Sequence, residues 1–104
     1  MSNIQLNPTV NIREKGSWLI PPAGECVQKI PRNKTYFSLE ELQEAVDGYI
    51  EVLYLQNNRL LILNEEGKLI GLPPNFRATE IAQENGIDDY VVGNALIIDK
   101  SEMR

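Results

Sequence analysis

The sequence contains no histidine, and this absence excludes more chemistry than any residue present suggests. Without an imidazole there is no Ser-His or Cys-His nucleophile pair, no histidine general base and no histidine ligand for a transition metal. The single cysteine, Cys26, cannot form an internal disulfide or a thiolate zinc cluster, and we expect a small buried thiol. We therefore predict that the protein is not an enzyme and has no catalytic residues, metal site or cofactor.

Long apolar runs and a basic surface are also missing. No stretch approaches the roughly 18 apolar residues of a membrane span, and Met1–Val10 lacks the basic-then-apolar pattern of a secretory signal. The net charge of −5 disfavours general nucleic-acid binding, which needs a basic face to displace counterions. We expect a soluble, cytoplasmic protein that binds neither membranes nor nucleic acids in general.

The length and the order of the elements predict a single domain. The 104 residues suffice for one domain, and the 42% hydrophobic content is typical of a globular fold. Residues 1–16 are interpreted as a flexible N-terminal arm, residues 17–100 as the domain and residues 101–104 as a polar tail. The predicted class is α+β: an antiparallel meander sheet of about four or five strands with one or two short helices on one face.

The segment Ser38–Gly48 carries the strongest helix signal. Ser38 and Glu41 have the spacing of a capping box, in which side chain and backbone satisfy each other's hydrogen bonds at the helix start. Gly48 is expected to supply the left-handed residue that ends the helix. One apolar stripe at helical spacing completes the pattern, formed by Leu39, Leu42, Ala45 and Val46.

Two apolar segments after this helix predict a β-hairpin. Tyr49–Leu55 and Arg59–Asn64 are rich in strand formers, and Asn57-Asn58 between them tolerates the positive φ of a two-residue turn. Both faces of the hairpin are apolar, so either it is central and covered on both sides, or one face is covered by another copy of the protein. Because a short domain with one or two helices can hardly cover both faces, we predict a homo-oligomer.

The remaining elements are predicted from apolar runs and their stop signals. Three further segments are predicted to be strands, namely Glu25–Ile30, Lys68–Leu72 and Ala95–Ile98. Pro73-Pro74 ends the second of these, since proline cannot donate to a strand ladder. A second helix is predicted from about Phe76 to Glu84, with Asn75 as its cap and Asn85-Gly86 at its end.

The start of this second helix is the candidate ligand site. Asn75, Arg77 and Thr79 place polar side chains and a cation beside free backbone amides, the groups that hold phosphate or carboxylate. A cation near the positive end of a helix is favoured when an anion joins it. A structural explanation is also open, in which Asn75 caps, Phe76 packs and Arg77 is an ordinary surface residue. Phe76 and Trp18, each near a double proline, are candidate walls for a stacked base.

The segment from Leu39 to Ile98 resembles a known family. The motifs are Gly-Tyr-Ile-Glu-Val, Asn-Glu-Glu-Gly-Lys-Leu-Ile-Gly-Leu-Pro-Pro-Asn, Arg-Ala-Thr and Val-Gly-Asn-Ala-Leu-Ile-Ile. They resemble an uncharacterised family of small proteins encoded by phages, prophages and mobile elements, known as a domain of unknown function. The resemblance implies no catalytic residues. It implies an accessory protein that blunts host defence by binding a host protein or by sequestering a nucleotide signal.

Three classes of function remain open from the sequence. The first is an oligomer that sequesters a small anion such as a cyclic nucleotide through Asn75, Arg77 and Thr79, with Phe76 and Trp18 as walls. The second is an acidic protein–protein inhibitor of a host factor, and the third is a structural or regulatory phage protein without a ligand. Sequestration is the leading hypothesis, because the Asn-x-Arg-x-Thr cluster offers a site whereas the acidic residues form no dense stripe.

Overall fold

The apolar segments of the chain assemble into one antiparallel sheet with two short helices. The structure is a computed structural model that describes residues 11–104. Its strands are β1 (Trp18–Ile20), β2 (Val27–Gln28), β3 (Ile50–Tyr54), β4 (Arg59–Asn64) and β5 (Ala95–Asp99). Its helices are α1 (Leu39–Val46) and α2 (Phe76–Glu84), and a 3-10 helix, Lys100–Glu102, follows β5. The predicted α+β class is confirmed.

The order of the strands in the sheet is β2-β1-β5-β4-β3. Two pairs of consecutive strands, β1 with β2 and β3 with β4, are antiparallel neighbours. β5 lies between β1 and β4 and pairs with both, although no hairpin turn connects it directly to either. Ile97 of β5 stands opposite Trp18 on one side and Leu61 on the other, and it is fully buried. The predicted strand Glu25–Ile30 is reduced to the two exposed residues of β2 at one edge.

Each face of the sheet has its own apolar layer and its own helix. Leu61 of β4 lies in the layer with Ile81 of α2, whereas the next residue, Ile62, lies in the layer with Leu42 of α1. Successive side chains of a strand point to opposite faces, so the continuous apolar run of β4 requires a cover on both. The expectation that the helices share one face is therefore wrong.

One strand of the predicted hairpin, β4, lies inside the sheet, and the other, β3, lies at its edge. All six residues of β4 are buried, whereas β3 is the last strand of the sheet among residues 11–104 and exposes Glu51 and Tyr54. Because α1 and α2 cover both faces of β4 within one chain, the first explanation left open by the sequence applies. The two apolar faces give no argument for self-association.

Helix α1 begins as the sequence predicts and ends differently. The Ser38 hydroxyl accepts the Glu41 amide at 3.1 Å, and the Glu41 carboxylate accepts the Ser38 amide at 3.1 Å, so the capping box is confirmed. The left-handed residue is Asp47, with φ of 61°, and not Gly48. Gly48 is needed for another reason: a Cβ there would lie 2.8 Å from Nδ2 of Asn64.

The hairpin turn has the predicted residues and one residue more than predicted. Asn57 and Asn58 have φ of 62° and 59°, the left-handed values that asparagine tolerates. The Leu55 amide donates to the Arg59 carbonyl at 2.9 Å, which encloses residues 56–58. The loop therefore has three residues rather than two.

The segment Lys68–Leu72, predicted as the third strand of the meander, is a turn. The Ile70 and Leu72 amides donate to carbonyls of residues 66 and 67 at 3.0 and 2.9 Å, which curls the chain. Gly71 has φ of 75°, a value that ends any extended strand. The prediction is wrong because the apolar residues Leu69 and Ile70, which suggested a strand, lie exposed in this curled segment.

The described part of the N-terminal arm, residues 11–16, is attached by a buried guanidinium. Arg59, 2% exposed, donates from Nη2 to the carbonyls of Ile12 and Gly16 at 2.8 and 2.6 Å. Burial lowers the pKa of Arg59 from its ordinary value, opposed by the nearby Asp99 carboxylate. The rest of the predicted arm, residues 1–10, lies outside the described residues.

The C-terminal residues are part of the fold. Residues 101–104 are a polar tail in the sequence-based prediction, yet Met103 packs against the layer beneath α1 and forms a parallel bridge with Phe37. The Phe37 amide donates to the Glu102 carbonyl at 2.8 Å. Within residues 11–104, no helix has the length and apolar character that crossing a membrane requires.

Two glycines with the same backbone conformation provide a matched test of the packing. Gly93 and Gly71 both have φ of 75°, but a Cβ on Gly93 would lie 2.7 Å from Leu72 Cδ1, whereas a Cβ on Gly71 meets none of the described atoms within 4 Å. We expect Gly71→Ala to cost about 1–2 kcal/mol from backbone strain. Gly93→Ala should cost about 1–3 kcal/mol more from overpacking. Urea denaturation measures both; equal losses would show that Leu72 moves aside freely.

The capping box gives a second prediction. Ser38→Ala removes the acceptor for the Glu41 amide and should lower the free energy of unfolding by about 0.5–2 kcal/mol. Ser101→Ala, at an exposed position, is the control and should stay within about 0.5 kcal/mol of the wild type. A Ser38→Ala protein as stable as the control in denaturant would contradict the contribution of the cap.

Candidate functional site

The predicted ligand site lies where the start of α2 meets the loop after β1 and the segment before β5. Asn75 is the N-cap of α2, and its Oδ1 accepts the Ala78 amide at 3.0 Å. Its Nδ2 donates to the carbonyls of Ile20 and Gly93, both at 2.8 Å. The residue is 0% exposed. The polar atoms of the Asn75 side chain are therefore all bound within the chain, and none faces the solvent.

Thr79 and Arg77 also bind neighbouring backbone. The Thr79 hydroxyl donates to the carbonyl four residues earlier at 2.8 Å and accepts the Val91 amide at 2.8 Å. Arg77 donates from Nη2 to the Pro21 carbonyl at 2.5 Å, and its Nη1 lies 3.5 Å from Cys26 Sγ. Both side chains are half-buried. The predicted cluster thus joins α2 to two other segments; the structural explanation is right that Asn75 caps the helix, but it did not include these contacts of Arg77 and Thr79.

The two candidate aromatic walls have different environments. Phe76 is 77% exposed at the first position of α2, so it does not pack as the structural explanation assumed. Trp18 is half-buried against the layer beneath α2, and its Nε1 donates to the Lys15 carbonyl at 2.9 Å. Of the five residues predicted for the site, Phe76 alone presents most of its side chain to the solvent.

The arrangement explains why the sequence pointed to an anion at this place. The argument from the helix dipole assigned an anion to Arg77, but in the structure its guanidinium donates to the Pro21 carbonyl, a neutral acceptor whose oxygen carries a partial negative charge. A guanidinium that is half-buried against a carbonyl and a thiol has fewer donors left for a ligand. No group of three or more Asp, Glu or Cys side chains among residues 11–104 is placed to hold a metal ion.

A second surface, missed from the sequence, is the turn that follows β4. Leu69 is 83% exposed and Ile70 60% exposed. The start of the turn is held by Asn64, whose Oδ1 accepts the Glu66 amide at 2.8 Å and whose Nδ2 donates to the Val46 carbonyl at 3.0 Å. The two apolar side chains are therefore displayed by a turn anchored to the buried end of β4.

The middle of the turn is held against the segment before β5. Gly67 is buried, and a Cβ there would lie 2.8 Å from Val92 Cγ2. The Lys68 ammonium donates to the Asp89 carboxylate at 2.6 Å and lies 4.2 Å from the centre of the Tyr90 ring. Its hydrogen bond holds the pKa of Asp89 below the ordinary value. These contacts restrict the turn and leave its apolar tip in the solvent.

A groove of about 250 Å³ lies beside this turn. Tyr49, which is 65% exposed, and Ile70 line it together with the acidic residues Asp47 and Glu66. We call the exposed residues Tyr49, Glu66, Leu69 and Ile70 the turn surface. Its signal in the sequence was the pair of glycines, Gly67 and Gly71, on either side of Lys-Leu-Ile, since two glycines so close are typical of a turn.

Three alanine substitutions at the start of α2 should separate structural from exposed residues. Asn75→Ala leaves two carbonyls and one amide without their partner and should cost at least about 3 kcal/mol of unfolding free energy. Arg77→Ala should cost about 1–2 kcal/mol through the Pro21 bond, which the sequence alone did not lead us to expect. Phe76→Ala, at an exposed position, should stay within about 0.5 kcal/mol.

Chemical denaturation of the three variants checks this order. An Arg77→Ala protein as stable as Phe76→Ala would mean that the bond to Pro21 contributes nothing and that the guanidinium is free for a ligand.

Comparison with known proteins identifies a family and no individual relative. Neither the curated proteins nor the solved structures contain a match to the chain. The family model described as Domain of unknown function (DUF3846) matches residues 17–103. The match confirms the resemblance to a domain of unknown function and extends it from Leu39–Ile98 to nearly all of the described chain. The chain therefore belongs to the DUF3846 family.

Proposed function

We propose that the protein is a non-enzymatic binding module that docks another protein onto the turn surface. The observation that carries the proposal is the exposure of Leu69 and Ile70, at 83% and 60%, in a turn whose backbone is anchored. Exposed apolar side chains that are grouped together, rather than scattered singly, are typical of interaction sites. Tyr49 adds an aromatic residue of the kind enriched in interfaces.

The anchoring of the turn favours tight binding. Association costs free energy for every loop and side chain that must be ordered, and a preorganised turn has already lost that freedom. Asn64 holds its start, and Gly67 packs closely against Val92 in its middle. Binding residues are commonly displayed on loops that a rigid scaffold positions, and this turn has that character.

The charges around the turn surface indicate the chemistry of the partner. Glu65 and Glu66 are exposed at the start of the turn, and Asp47 lines the adjoining groove. The nearby cation, Lys68, is already engaged by Asp89. With a net charge of −5, the protein should attract a basic surface. The fitting partner is a protein with an apolar pocket for Leu69 and Ile70 and a rim of Lys or Arg.

This proposal corresponds to the acidic protein–protein inhibitor among the functions left open by the sequence. The phage or mobile-element context implied by the family resemblance makes a host defence protein in the host cytoplasm the expected partner. That context is part of the proposal and rests on the resemblance alone.

Sequestration of a small anionic nucleotide by an oligomer ranks second as a proposal. Its support is the exposed ring of Phe76 at the start of α2, close in sequence to the Arg77 guanidinium. Asn75 and Thr79 no longer contribute to it, since their polar atoms serve the fold. The two proposals therefore depend on different exposed residues, Leu69 for docking and Phe76 for sequestration.

A reciprocal pair of variants tests both proposals. Leu69→Ser and Phe76→Ser each change one exposed apolar residue, so both proteins should melt like the wild type. The wild type is used to retain partners from a host lysate, and each retained protein is purified and titrated by calorimetry. We expect Leu69→Ser to weaken binding of the partner at least about 30-fold, as for a hot-spot residue, and Phe76→Ser to leave it unchanged. Raising the salt concentration should weaken binding of the partner to the wild type, because salt screens the attraction between an acidic and a basic surface.

Two outcomes would contradict docking at the turn surface. In one, every retained protein binds Leu69→Ser as tightly as the wild type. In the other, no protein is retained and a calorimetric panel of cyclic and linear nucleotides shows binding that Phe76→Ser removes. The second result would establish sequestration in its place.

A further inference from the structure

Strand β3 has an edge that is unpaired among residues 11–104. Its inner side pairs with β4, and this ladder is continued by the Glu65 amide donating to the Tyr49 carbonyl at 2.8 Å and the Leu55 amide donating to the Arg59 carbonyl at 2.9 Å. In an antiparallel ladder, bonded and non-bonded residues alternate. The backbone amides and carbonyls of the odd-numbered residues therefore point toward β4. The residues whose amides and carbonyls point away from the sheet are Ile50, Val52 and Tyr54.

This edge lacks the features that protect the edges of most sheets. Edge strands are usually very short, bulged, or supplied with Lys or Pro. β3 has five residues in regular register, with one charge, Glu51, and neither Lys nor Pro. The opposite edge, β2, is protected in the usual way, because it has two residues and is followed by Lys29 and Pro31. The two edges thus differ in their capacity to add a strand.

We propose that a second copy of this chain pairs with β3 across a two-fold axis at Val52, so that one antiparallel sheet continues through both copies. In this register Val52 stands opposite Val52 of the partner subunit, and Ile50 stands opposite Tyr54 of the partner subunit. All three outward residues then form bonded pairs, with about six backbone hydrogen bonds in total. The pairing of β-branched and aromatic residues across strands is also a stabilising one.

Charge and the number of paired residues together select this register over its two neighbours. With the axis at Val52, Glu51 stands opposite Leu53 of the partner subunit. Moving the axis to Glu51 places two carboxylates directly opposite each other, which is destabilising. Moving it to Leu53 leaves Ile50 without a partner on β3. The strand is therefore complementary to itself in one register, which is the property that a two-fold interface requires.

The competing occupant is the N-terminal segment of the same chain. Asn11, the first described residue, lines a hollow together with Leu55 and Gln56, at one end of β3. Because residues 1–10 are covalently joined to Asn11, pairing within one chain is the alternative that a test must separate from dimerisation. The dimer does not rest on the proposed function, because its contacts are backbone groups of β3 and not Leu69 or Ile70.

Amide hydrogen exchange, measured by NMR at several chain concentrations, tests the proposal on the full-length protein. The amides of Glu51, Leu53 and Leu55 face β4 and should be protected at every concentration. Those of Ile50, Val52 and Tyr54 should exchange about 15-fold more slowly when the total chain concentration is a hundred times the dissociation constant than when it is far below, because about 7% of the chains are then still monomeric. Sedimentation over the same range should show a change from monomer to dimer.

A matched pair of variants accompanies the measurement. Tyr54, 70% exposed on β3, and Ile30, 69% exposed beyond β2, are equally accessible apolar residues at opposite edges of the sheet. Tyr54→Lys places a protective lysine on the proposed interface and should give a monomer with fast-exchanging outward amides. Its inward amides should stay protected, which shows that the fold is intact. Ile30→Lys should dimerise like the wild type.

Two results would overturn the dimer. Fast exchange of the outward amides at every concentration would show that the edge stays open. Slow exchange that does not depend on concentration, in a protein that sediments as a monomer, would show that residues 1–10 pair with β3 instead. Leu69→Ser should behave as the wild type here, so loss of partner docking and loss of dimerisation are separate outcomes.

Discussion

The hydrogen bonds of the buried Asn75 side chain are the interactions on which the arrangement of the neighbouring elements depends. Its three hydrogen bonds reach the end of β1 at Ile20, the segment before β5 at Gly93 and the first turn of α2 at Ala78. A buried amide in a low-dielectric interior is costly unless every donor and acceptor is satisfied. The three segments must therefore adopt their positions together, and α2 is placed over one face of the sheet as a result.

The same requirement decides which residues are available for function. Arg77 and Thr79 carry the chemistry of a ligand site, but they bind the Pro21 carbonyl and the Val91 amide, because those groups are half-buried and need partners. The informative departures from an ordinary surface are buried polar groups and grouped exposed apolar ones. The first kind, at Asn75, belongs to the fold, whereas the second kind, at Leu69 and Ile70, is exposed and is the surface that we propose for recognition.

Because both faces of the sheet are covered within one chain, the edges of the sheet are the places to look for self-association. A helix on each side satisfies the apolar residues of β4 and β5 within one chain. Backbone amides and carbonyls at an edge cannot be satisfied in this way, since they lie in the plane of the sheet and only another strand or water reaches them. The unequal protection of β2 and β3 therefore says more about self-association than the hydrophobicity of either face.

The sequence by itself determined the local structure, and the tertiary structure decided the rest. Ser38 begins α1, Asn75 begins α2 and Asn57-Asn58 turns the hairpin, because capping and positive φ depend on residues within one turn of each other. The apolar pair Leu69-Ile70 had no such local meaning: the same residues suit a buried strand or an exposed turn. The carbonyl that Arg77 binds lies 56 residues away in the chain, and one of the two carbonyls that Asn75 binds lies 55 residues away. Contacts at that separation leave no periodic or spaced pattern in the chain, so only the folded structure could show that the predicted site is part of the scaffold.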